Sequence, residues 1–518
     1  MRELPRRRHL RVAMGVALVV PVLLLATAIS AAPPRAARLV IAYGISPVTM
    51  DPQMHSNTVT ESVLRNIFET LVVRTDDMKS IEPGLATSWQ QTGETTWQFK
   101  LRRGVRFHNG EEFNAAAVKF SIERAMDPRQ RAPLRSLVDP IQRVEVVDDF
   151  TINVVTHQPD PLLVGRFGGY ATNIVPPRYM REKGDAFVAA NPVGTGPYRF
   201  VSWVRDGDLI LETNPGYWGP PPKFGTVIIK SIPESTTRVA ALRAGEADLI
   251  VNVPPADVGV IKRGRRAEIH TIPSGRIMHA VLNAQEGPTA NVKVRQALNH
   301  AIDVDGIIAT ILGGYGRRLA TVLAPEDFGH DPNLKPYSYD LAKARQLLAE
   351  AGYPNGFEVT FDCPKGRYPL DSEVCQAMAG QLEQVGVRAR VVFNEWALYN
   401  SKSAARTLGA LSLWGWGTLN FDADGRLRSL FATVPAYPRG TARQTYSNKD
   451  FDALVLQAIE TANPATRLRI YKMAQRILYH DAANLFLYQL VDIYGVSTRV
   501  TWTPRADEMV WASRAAPR

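Results

Sequence analysis

The sequence predicts an α/β protein built from two or three compact lobes. At 518 residues the chain is too long for one hydrophobic core, because single domains usually hold ~100–200 residues. Residues 357–393 have the pattern of a strand, a helix and a second strand, which is the unit of partly parallel sheets. Helical and strand patterns alternate elsewhere without an internal repeat or a low-complexity tract.

The amino-terminal third is predicted to contain short strands and helices. An alternation of apolar and polar residues at 97–101 predicts a half-buried strand. Asn114 fits the N-cap of a helix over 115–126, which Pro128 ends. Residues 61–73 carry apolar side chains at helical spacing and predict another helix. Further predictions in this region are a strand at 39–43 and a hairpin of 143–147 with 151–156.

The rest of the chain continues in the same way. The most clearly patterned helix covers 340–351 and ends at Gly352. The other predicted helices are 236–244, 292–301, 304–312, 372–385, 451–460 and 464–482. The other predicted strands are 209–212, 226–232, 357–361, 387–393, 485–489 and 493–496.

The first 32 residues have the order that is typical of a secretory signal peptide. Five arginines form a positive head, residues 12–29 carry no charge, and small residues follow. The apolar run is also long enough for a membrane anchor, but Pro21 and the small residues favour cleavage. No cysteine follows the run, so a lipoprotein anchor is not expected. We therefore expect residues 1–32 to be a signal peptide and the protein to be periplasmic.

The positive charge of the chain does not indicate nucleic-acid binding. The formal net charge is +11, and it is +7 without residues 1–32, which hold five arginines and one glutamate. The remaining basic residues are spread out, whereas a nucleic-acid surface needs a concentrated stripe. We expect no nucleic-acid partner.

The chain has two cysteines, Cys363 and Cys375. In an oxidising compartment such a pair forms either a disulfide or two free thiols, and the sequence does not show whether the geometry permits the bond. A metal site on these thiols is disfavoured because no histidine lies close by in the sequence.

The sequence holds no pattern that is typical of an enzyme or of a cofactor site. The glycine-rich stretches 194–196 and 313–316 lack the Lys-Ser/Thr of a phosphate loop and the spacing of a dinucleotide site, so they predict turns. Neither HExxH nor GxSxG occurs, and no two histidines lie at ligand spacing on one helix. We expect no cofactor, no metal and no catalytic constellation.

Six blocks, in order along the chain, resemble a known family. The two most informative are PGLATSWQQTGETTWQFKLRRGVRFHNGEEFNAAAVKFSIERAMDP (83–128) and NPVGTGPYRFVSWVRDGDLILETNPGYW (191–218). The others are SPVTMDP (46–52), NVKVRQALNHAIDVDGII (291–308), YDLAKARQLLAEAGYPNGFEVTF (339–361) and LWGWG (413–417). Together they resemble the extracellular solute-binding proteins of bacterial ABC importers, family 5, the peptide/nickel group.

The resemblance implies an α/β, two-lobed periplasmic binding protein with the ligand in a cleft between the lobes. It also implies that 274–283 and 486–495 pair as crossings between the lobes, and that His108 is a scaffold residue. The implied boundaries are 38–278 for lobe one with an extra subdomain at about 75–190, 279–487 for lobe two, and 488–518 for a return to lobe one.

The implied function is binding without chemistry. A monomer takes a di- or oligopeptide or a peptide-like solute, closes around it and delivers it to permease subunits in the membrane. Two alternatives keep the same fold: a non-peptide cargo (an opine, a glutathione-like compound, a sugar derivative or a metal chelate) and a sensory receptor. A secreted hydrolase is a further class, but it requires a catalytic constellation that the sequence does not show.

The resemblance also implies candidate ligand-binding residues. Trp416, Trp396 and Tyr399 match aromatic positions along the cleft, where ring faces give large contact area at low entropic cost. Arg367 and Lys365 lie where dipeptide-binding members hold a ligand carboxylate, and the fork of a guanidinium favours Arg367.

The carboxylate that holds the free amine of a peptide in many members is missing here. Leu419 aligns with that carboxylate, and the nearby Asp422 and Asp424 are either substitutes for it or surface carboxylates. Asn420 and Thr49 complete the candidate set. The sequence therefore predicts that a ligand carboxylate is held while an ordinary peptide amine is not.

Overall fold

The structure is a computed structural model that describes residues 37–417, 421–433 and 445–518. The predicted signal peptide (1–32) and the candidate Asn420 lie outside the described residues. The strands are β1 (Arg38–Tyr43), β2 (Val72–Arg74), β3 (Ile81–Pro83), β4 (Ala86–Gly93), β5 (Thr96–Leu101), β6 (Ile141–Asp148), β7 (Thr151–Thr156), β8 (Tyr198–Trp203), β9 (Asp208–Thr213), β10 (Thr226–Ser231), β11 (Leu249–Ile250), β12 (Ala267–Leu282), β13 (Gly316–Arg318), β14 (Phe357–Pro364), β15 (Val387–Asn394), β16 (Leu411–Trp416), β17 (Asn484–Ser497), β18 (Val500–Thr501) and β19 (Ala516–Pro517).

The predicted helices are found with small differences in their bounds, except for the one over 61–73. The N-cap predicted at Asn114 is confirmed, since its side chain accepts from the N–H of Ala117 at 3.1 Å. The helices are α1 (Thr58–Leu64), α2 (Ala115–Met126), α3 (Leu163–Arg166), α4 (Pro177–Lys183), α5 (Asp185–Val188), α6 (Ser235–Ala244), α7 (Pro255–Arg263), α8 (Val292–Ala301), α9 (Val304–Thr310), α10 (Leu341–Glu350), α11 (Asp371–Glu383), α12 (Trp396–Ala404), α13 (Asp424–Phe431), α14 (Lys449–Glu460) and α15 (Pro464–His480). Of these, α3, α4, α5, α7, α12 and α13 were not predicted.

The helix predicted over 61–73 is wrong beyond Leu64. The carbonyl oxygens of Asn66 and Ile67 accept from the N–H groups of Tyr198 and Gly196, at 3.0 and 2.8 Å. These carbonyls would have to bond four residues ahead if the helix continued. The chain therefore leaves the helix here, although its apolar side chains stay buried as the spacing predicts.

A large mixed sheet forms the centre of the molecule. Its strand order is β15-β14-β16-β12-β17-β11-β1-β10-β9-β8, and β13 pairs with β17. The predicted strand–helix–strand unit is confirmed, because β14 and β15 pair in parallel and α11 connects them. A second, antiparallel sheet, β4-β5-β7-β6, is called the small sheet below and includes the predicted hairpin as β6 and β7.

Two long antiparallel strands run through the large sheet. β12 pairs with β17 from Ala267 opposite Ser497 to Val281 opposite Asn484, with register shifts after Pro273 and after Met278. The strands predicted separately at 485–489 and 493–496 are parts of the single strand β17. The predicted pairing of 274–283 with 486–495 is thereby confirmed.

Two apolar cores contact β17 at different points along its length. The first core includes Leu39 and Tyr494, and the second core includes Phe361 and Leu487. Since β17 contributes to both cores, the long strands join them. The lobe boundaries stay a prediction. In the described part of the chain, no helix is long and apolar enough to cross a membrane.

The glycines of the block at 191–218 are required by a close approach of two backbone segments. A Cβ on Gly194 or Gly196 would lie 2.1 or 2.6 Å from the carbonyl oxygen of Ile67. The backbone N–H of His108 donates to the Gly194 carbonyl at 2.9 Å, and its Nε2 lies 3.0 Å from the Gly196 carbonyl oxygen. His108 therefore has the scaffold contacts that the resemblance implied.

We expect Gly196→Ala to lower the free energy of unfolding by about 1–3 kcal/mol, because the new methyl group meets backbone atoms that cannot move aside. Urea denaturation measures this. Gly380→Ala is the control. Gly380 lies inside α11, and a Cβ at that position would have no other heavy atom within 4 Å. Equal losses in both variants would contradict the close-approach argument.

We also expect His108 to make stability depend on pH. Burial lowers its pKa from 6.5 to about 4, and the neutral ring accepts the Gly194 N–H at Nδ1. Its contribution is complete above pH 6.5 and is lost as the pH falls towards 4, by about 3 kcal/mol. Denaturation at several pH values should show this loss in the wild type and not in His108→Gln; parallel curves would exclude it.

Candidate ligand-binding cleft

A cavity of about 160 Å³ lies beside the long strand β12, whose Gly275 and Arg276 line it. We call this cavity the cleft. Its lining comes from segments far apart in the sequence: 56–58, 133–137, 165–170, 275–276, 367–368, 396–400, 414–417, 425–429 and 506–508.

Aromatic rings from the second-core side form one wall of the cleft. Tyr368, Trp396, Trp414 and Trp416 line it. The Trp396 ring lies 6.2 Å from Tyr368 and 5.9 Å from Trp414, both edge to face. Such a wall offers broad apolar contact with little side-chain entropy to lose. The structure thus places two of the predicted aromatic residues, Trp396 and Trp416, at the cleft.

Tyr399 supports this wall from behind and does not line the cleft. Its side chain is fully buried, and its ring lies 6.0 Å from Trp396 and 4.9 Å from Trp414. Its hydroxyl donates to the Leu413 carbonyl at 2.7 Å. Tyr399 was predicted as a ligand contact. Because it is buried behind Trp396 and Trp414, it instead packs against these two rings and supports them.

Arg367 brings a buried cation to the cleft without a carboxylate partner. Its side chain lines the cleft, and among the described residues no carboxylate lies within ion-pair distance and Nε has no hydrogen-bond partner. The guanidinium carbon lies 4.9 Å from the Tyr368 ring and 5.1 Å from the Trp396 ring. Burial, and then the charge of Arg276, lower its pKa. A buried cation is costly unless paired, so the site favours a ligand with an anionic group.

The loop that carries Arg367 is held at several points. Cys363 and Cys375 form a disulfide with Cα atoms 6.6 Å apart, which decides between the two alternatives left open by the sequence. The Asp371 carboxylate accepts from the backbone N–H groups of 366–368, at 3.0, 2.8 and 3.0 Å. Asp371 therefore orders the loop and leaves the guanidinium unpaired.

Arg276 on β12 ties the sides of the cleft together. Its guanidinium donates to Glu508 at 2.7 and 3.0 Å, to the Thr58 hydroxyl at 2.8 Å and to the Gly415 carbonyl at 3.1 Å. Burial alone would lower its pKa, but the Glu508 carboxylate outweighs burial and the pKa is raised. Sequence reasoning missed this residue, because Glu508 is 232 positions away and no local motif marks either one.

A second network of ion pairs joins α3 to α13 across the cleft. Arg166 donates to Asp160 at 2.8 Å and to Asp424 at 3.2 Å, and Asp424 also accepts from Arg428 at 2.9 Å. Burial would raise the pKa of Asp424, but the two arginines lower it to about 2. Asp424 is thus an ionised carboxylate already shared by two cations.

The comparisons with known proteins agree with this architecture. The profile of the bacterial extracellular solute-binding proteins, family 5 (middle), matches residues 80–437. The chain belongs to this family. The resemblance found in the six sequence blocks is thereby confirmed.

Relatives of this family 5 protein match it over more than nine-tenths of its length. The glutathione-binding protein GsiB of Escherichia coli K12 is 31% identical over 92% of this chain and 94% of its own. The solved structure of DppA from Helicobacter pylori with the peptide STSA is 28% identical, with a TM-score of 0.87 over 93% and 98% of the two chains. AgaA of A. tumefaciens R10, solved with agropinic acid, is 25% identical with a TM-score of 0.84 over 93% and 99%. These likenesses establish the two-lobed periplasmic binding protein fold.

Other predicted site residues of this family 5 protein do not line the cleft. Lys365 is exposed on the surface, and the Thr49 hydroxyl accepts the N–H two residues further on at 3.1 Å, within a turn. Asp422 is buried and pairs with Arg467 at 2.8 Å; burial raises its pKa to about 6 against the effect of Arg467. Asp422, offered as a substitute amine anchor, is therefore already paired. Asn420 lies outside the described residues.

The described residues contain no group of three or more His, Cys, Asp or Glu placed to hold a metal ion. The cleft of this family 5 protein combines an aromatic wall, paired charges and a guanidinium, that of Arg367, for which the described residues supply no carboxylate partner. That combination is suited to holding a small polar ligand with an anionic end.

We expect Arg367→Met to raise the free energy of unfolding of the ligand-free protein by about 1–3 kcal/mol, since it removes a buried unpaired charge. The lost contacts with the two rings are worth less than this. Chemical denaturation checks the result. Arg388→Met is the control, because Arg388 is 70% exposed and pairs only at the surface. A destabilised Arg367→Met protein would show that the guanidinium is already satisfied without ligand.

Proposed function

We propose that this protein is the substrate-binding component of an ABC importer and that its cargo is a peptide or peptide-like solute with a carboxylate group. Secreted through residues 1–32, it acts in the periplasm as a monomer and delivers its ligand to permease subunits of the inner membrane. The observation that carries the proposal is the buried, unpaired Arg367 at the aromatic wall. A guanidinium binds a carboxylate through two parallel hydrogen bonds, which gives both free energy and orientation.

The charge balance of the cleft supports a ligand with a net negative charge. Three arginines and two carboxylates line it. Arg276 and Arg166 are compensated by the carboxylates already described, and Asp507 pairs with Arg505 at 2.8 Å. Arg367 is left without compensation among the described residues. A ligand carrying one more negative than positive charge would neutralise it.

The fate of a ligand amine is the second consideration. Asp422 and Asp424, which lie nearest to the position where many relatives hold a peptide amine, are both paired with arginines. Glu508 lines the cleft and is 19% exposed, so it is the carboxylate best placed to share itself with an ammonium group. An ordinary dipeptide must therefore compete with Arg276 for its amine partner.

The names of the relatives are compatible with this ligand class. GsiB is named for glutathione, DppA was solved with a peptide and AgaA with agropinic acid, all of which carry carboxylates. Because the usual amine anchor is missing and the nearby carboxylates are paired with arginines, an acidic non-peptide solute such as an opine is the second candidate cargo.

Closure of the lobes would bury the ligand. We infer that lobe one spans 38–278 with 488–518 and lobe two spans 279–487, so that β12 and β17 are the connections about which they move. The cleft lies where these strands pass between the two cores, and Arg166 and Asp424 meet across it. A membrane permease would then read the closed form.

The test is the thermal stability of the mature protein with matched ligands. We expect glutathione, agropinic acid or Ala-Ala-Ala to raise the melting temperature, because a ligand that binds only the folded state stabilises it by about 2.7 kcal/mol at one hundred times its Kd. Ala-Ala-Ala carboxamide, in which the carboxylate of Ala-Ala-Ala is replaced by an amide, should leave the melting temperature unchanged. Arg367→Met should abolish the shift, whereas Arg388→Met should keep it. An equal shift from acid and amide would contradict the proposed carboxylate site.

A further inference from the structure

Trp414 and Trp416 line the cleft and also a second cavity of about 60 Å³. We call this the second cavity. Most of its surface is apolar, and His279, Ser403 and Thr445 are among the residues that bring polar groups to it. A buried polar group that faces such a space needs water or a polar atom of a ligand as its partner.

His279 leaves a hydrogen-bonding position unused at this cavity. The residue lies on β12 and is 1% exposed. The Asn484 side-chain amide donates to its Nδ1 at 2.7 Å, while Nε2 has no hydrogen-bond partner within the part of the chain that the structure describes. Burial, and then the charge of Arg426, lower the pKa of His279 to about 3, so the ring is neutral at neutral pH. With Nδ1 as an acceptor, the ring proton is on Nε2.

A buried N–H without an acceptor is costly, and few are left so in folded proteins. Within the second cavity, an oxygen atom of a ligand is the group that would satisfy it. Carbonyl, carboxylate and hydroxyl oxygens all accept such a bond.

The sizes of the two cavities indicate which ligands reach the second one. At about one water-sized group per 10–15 Å³, the cleft holds about a dozen non-hydrogen atoms and the second cavity about four or five more. The first number is the size of a small dipeptide. A solute longer by one residue or one acyl group needs the additional space.

We propose that the second cavity is a subsite of the cleft. In this subsite, Nε2–H of His279 donates a hydrogen bond to an oxygen atom at the end of the ligand that is remote from Arg367. The ligand chain passes along the Trp416 ring, which both cavities share. This inference rests on the proposed function, and it makes the preferred cargo a solute of about tripeptide length.

The test uses pairs of probes that share one end and differ in length: cysteinylglycine with glutathione, and Ala-Ala with Ala-Ala-Ala. Isothermal titration of the mature protein measures their dissociation constants. We expect His279→Phe, which removes the donor and fills the space, to weaken the longer probe of a pair about three- to tenfold and to leave the shorter one unchanged. His270→Phe is the control, because His270 lies on the same strand and lines neither cavity.

A second variant guards against a folding defect in His279→Phe. Ser403→Leu fills the second cavity from α12, and it should produce the same selective loss. Equal weakening of both probes, or no weakening of either, would overturn the subsite and leave the proposed function standing if Arg367→Met still abolishes binding. If the wild-type protein binds none of the four probes, peptide binding at the cleft is wrong and the subsite falls with it.

Discussion

The pairing of β12 with β17 is the constraint on which the rest of the structure depends. These strands are hydrogen-bonded to each other along most of their length and lie within both cores. Their ladder shifts register between Pro273 and Ile277, and Arg276 lies in that interval. A buried guanidinium is costly unless it is paired, and that of Arg276 bonds to Thr58, Gly415 and Glu508. These three residues therefore meet at the register shift. The cleft is formed around this point.

The buried arginines at the cleft fall into two groups, those paired with a carboxylate and Arg367. Most arginines are neutralised by carboxylates from distant segments, as Arg166 is by Asp424 on the opposite side. These pairs fix geometry and contribute little net charge to the space between them. Arg367 differs from these arginines because the described residues supply no carboxylate partner for it. Asp371, the carboxylate nearest to it in sequence, accepts from the backbone of the same loop. The resulting field is that of a single positive charge set against aromatic rings, which gives ligand orientation a clear physical origin.

The sequence was sufficient for the fold but for only part of the site. Hydrophobic spacing and caps located most of the long helices and about half of the strands, since these depend on local side chains, and the six blocks identified the family. The helix at 61–73 was predicted too long because a segment more than a hundred residues away takes its carbonyls. Trp396, Trp416 and Arg367 were found because local motifs mark them. Arg276 and Glu508 were not, because only the fold brings them together, and no periodicity marks such a contact.

The disulfide between Cys363 and Cys375 affects when the loop that carries Arg367 becomes ordered. The bridge spans twelve positions that include Arg367. A cross-link of this length restricts the disordered chain by about 3 kcal/mol in the loop-entropy description. That restriction is established once, on oxidation, and does not recur each time a solute arrives. The segment that carries Arg367 is thus cross-linked before any solute is present, and the loss of chain freedom belongs to the maturation of the protein.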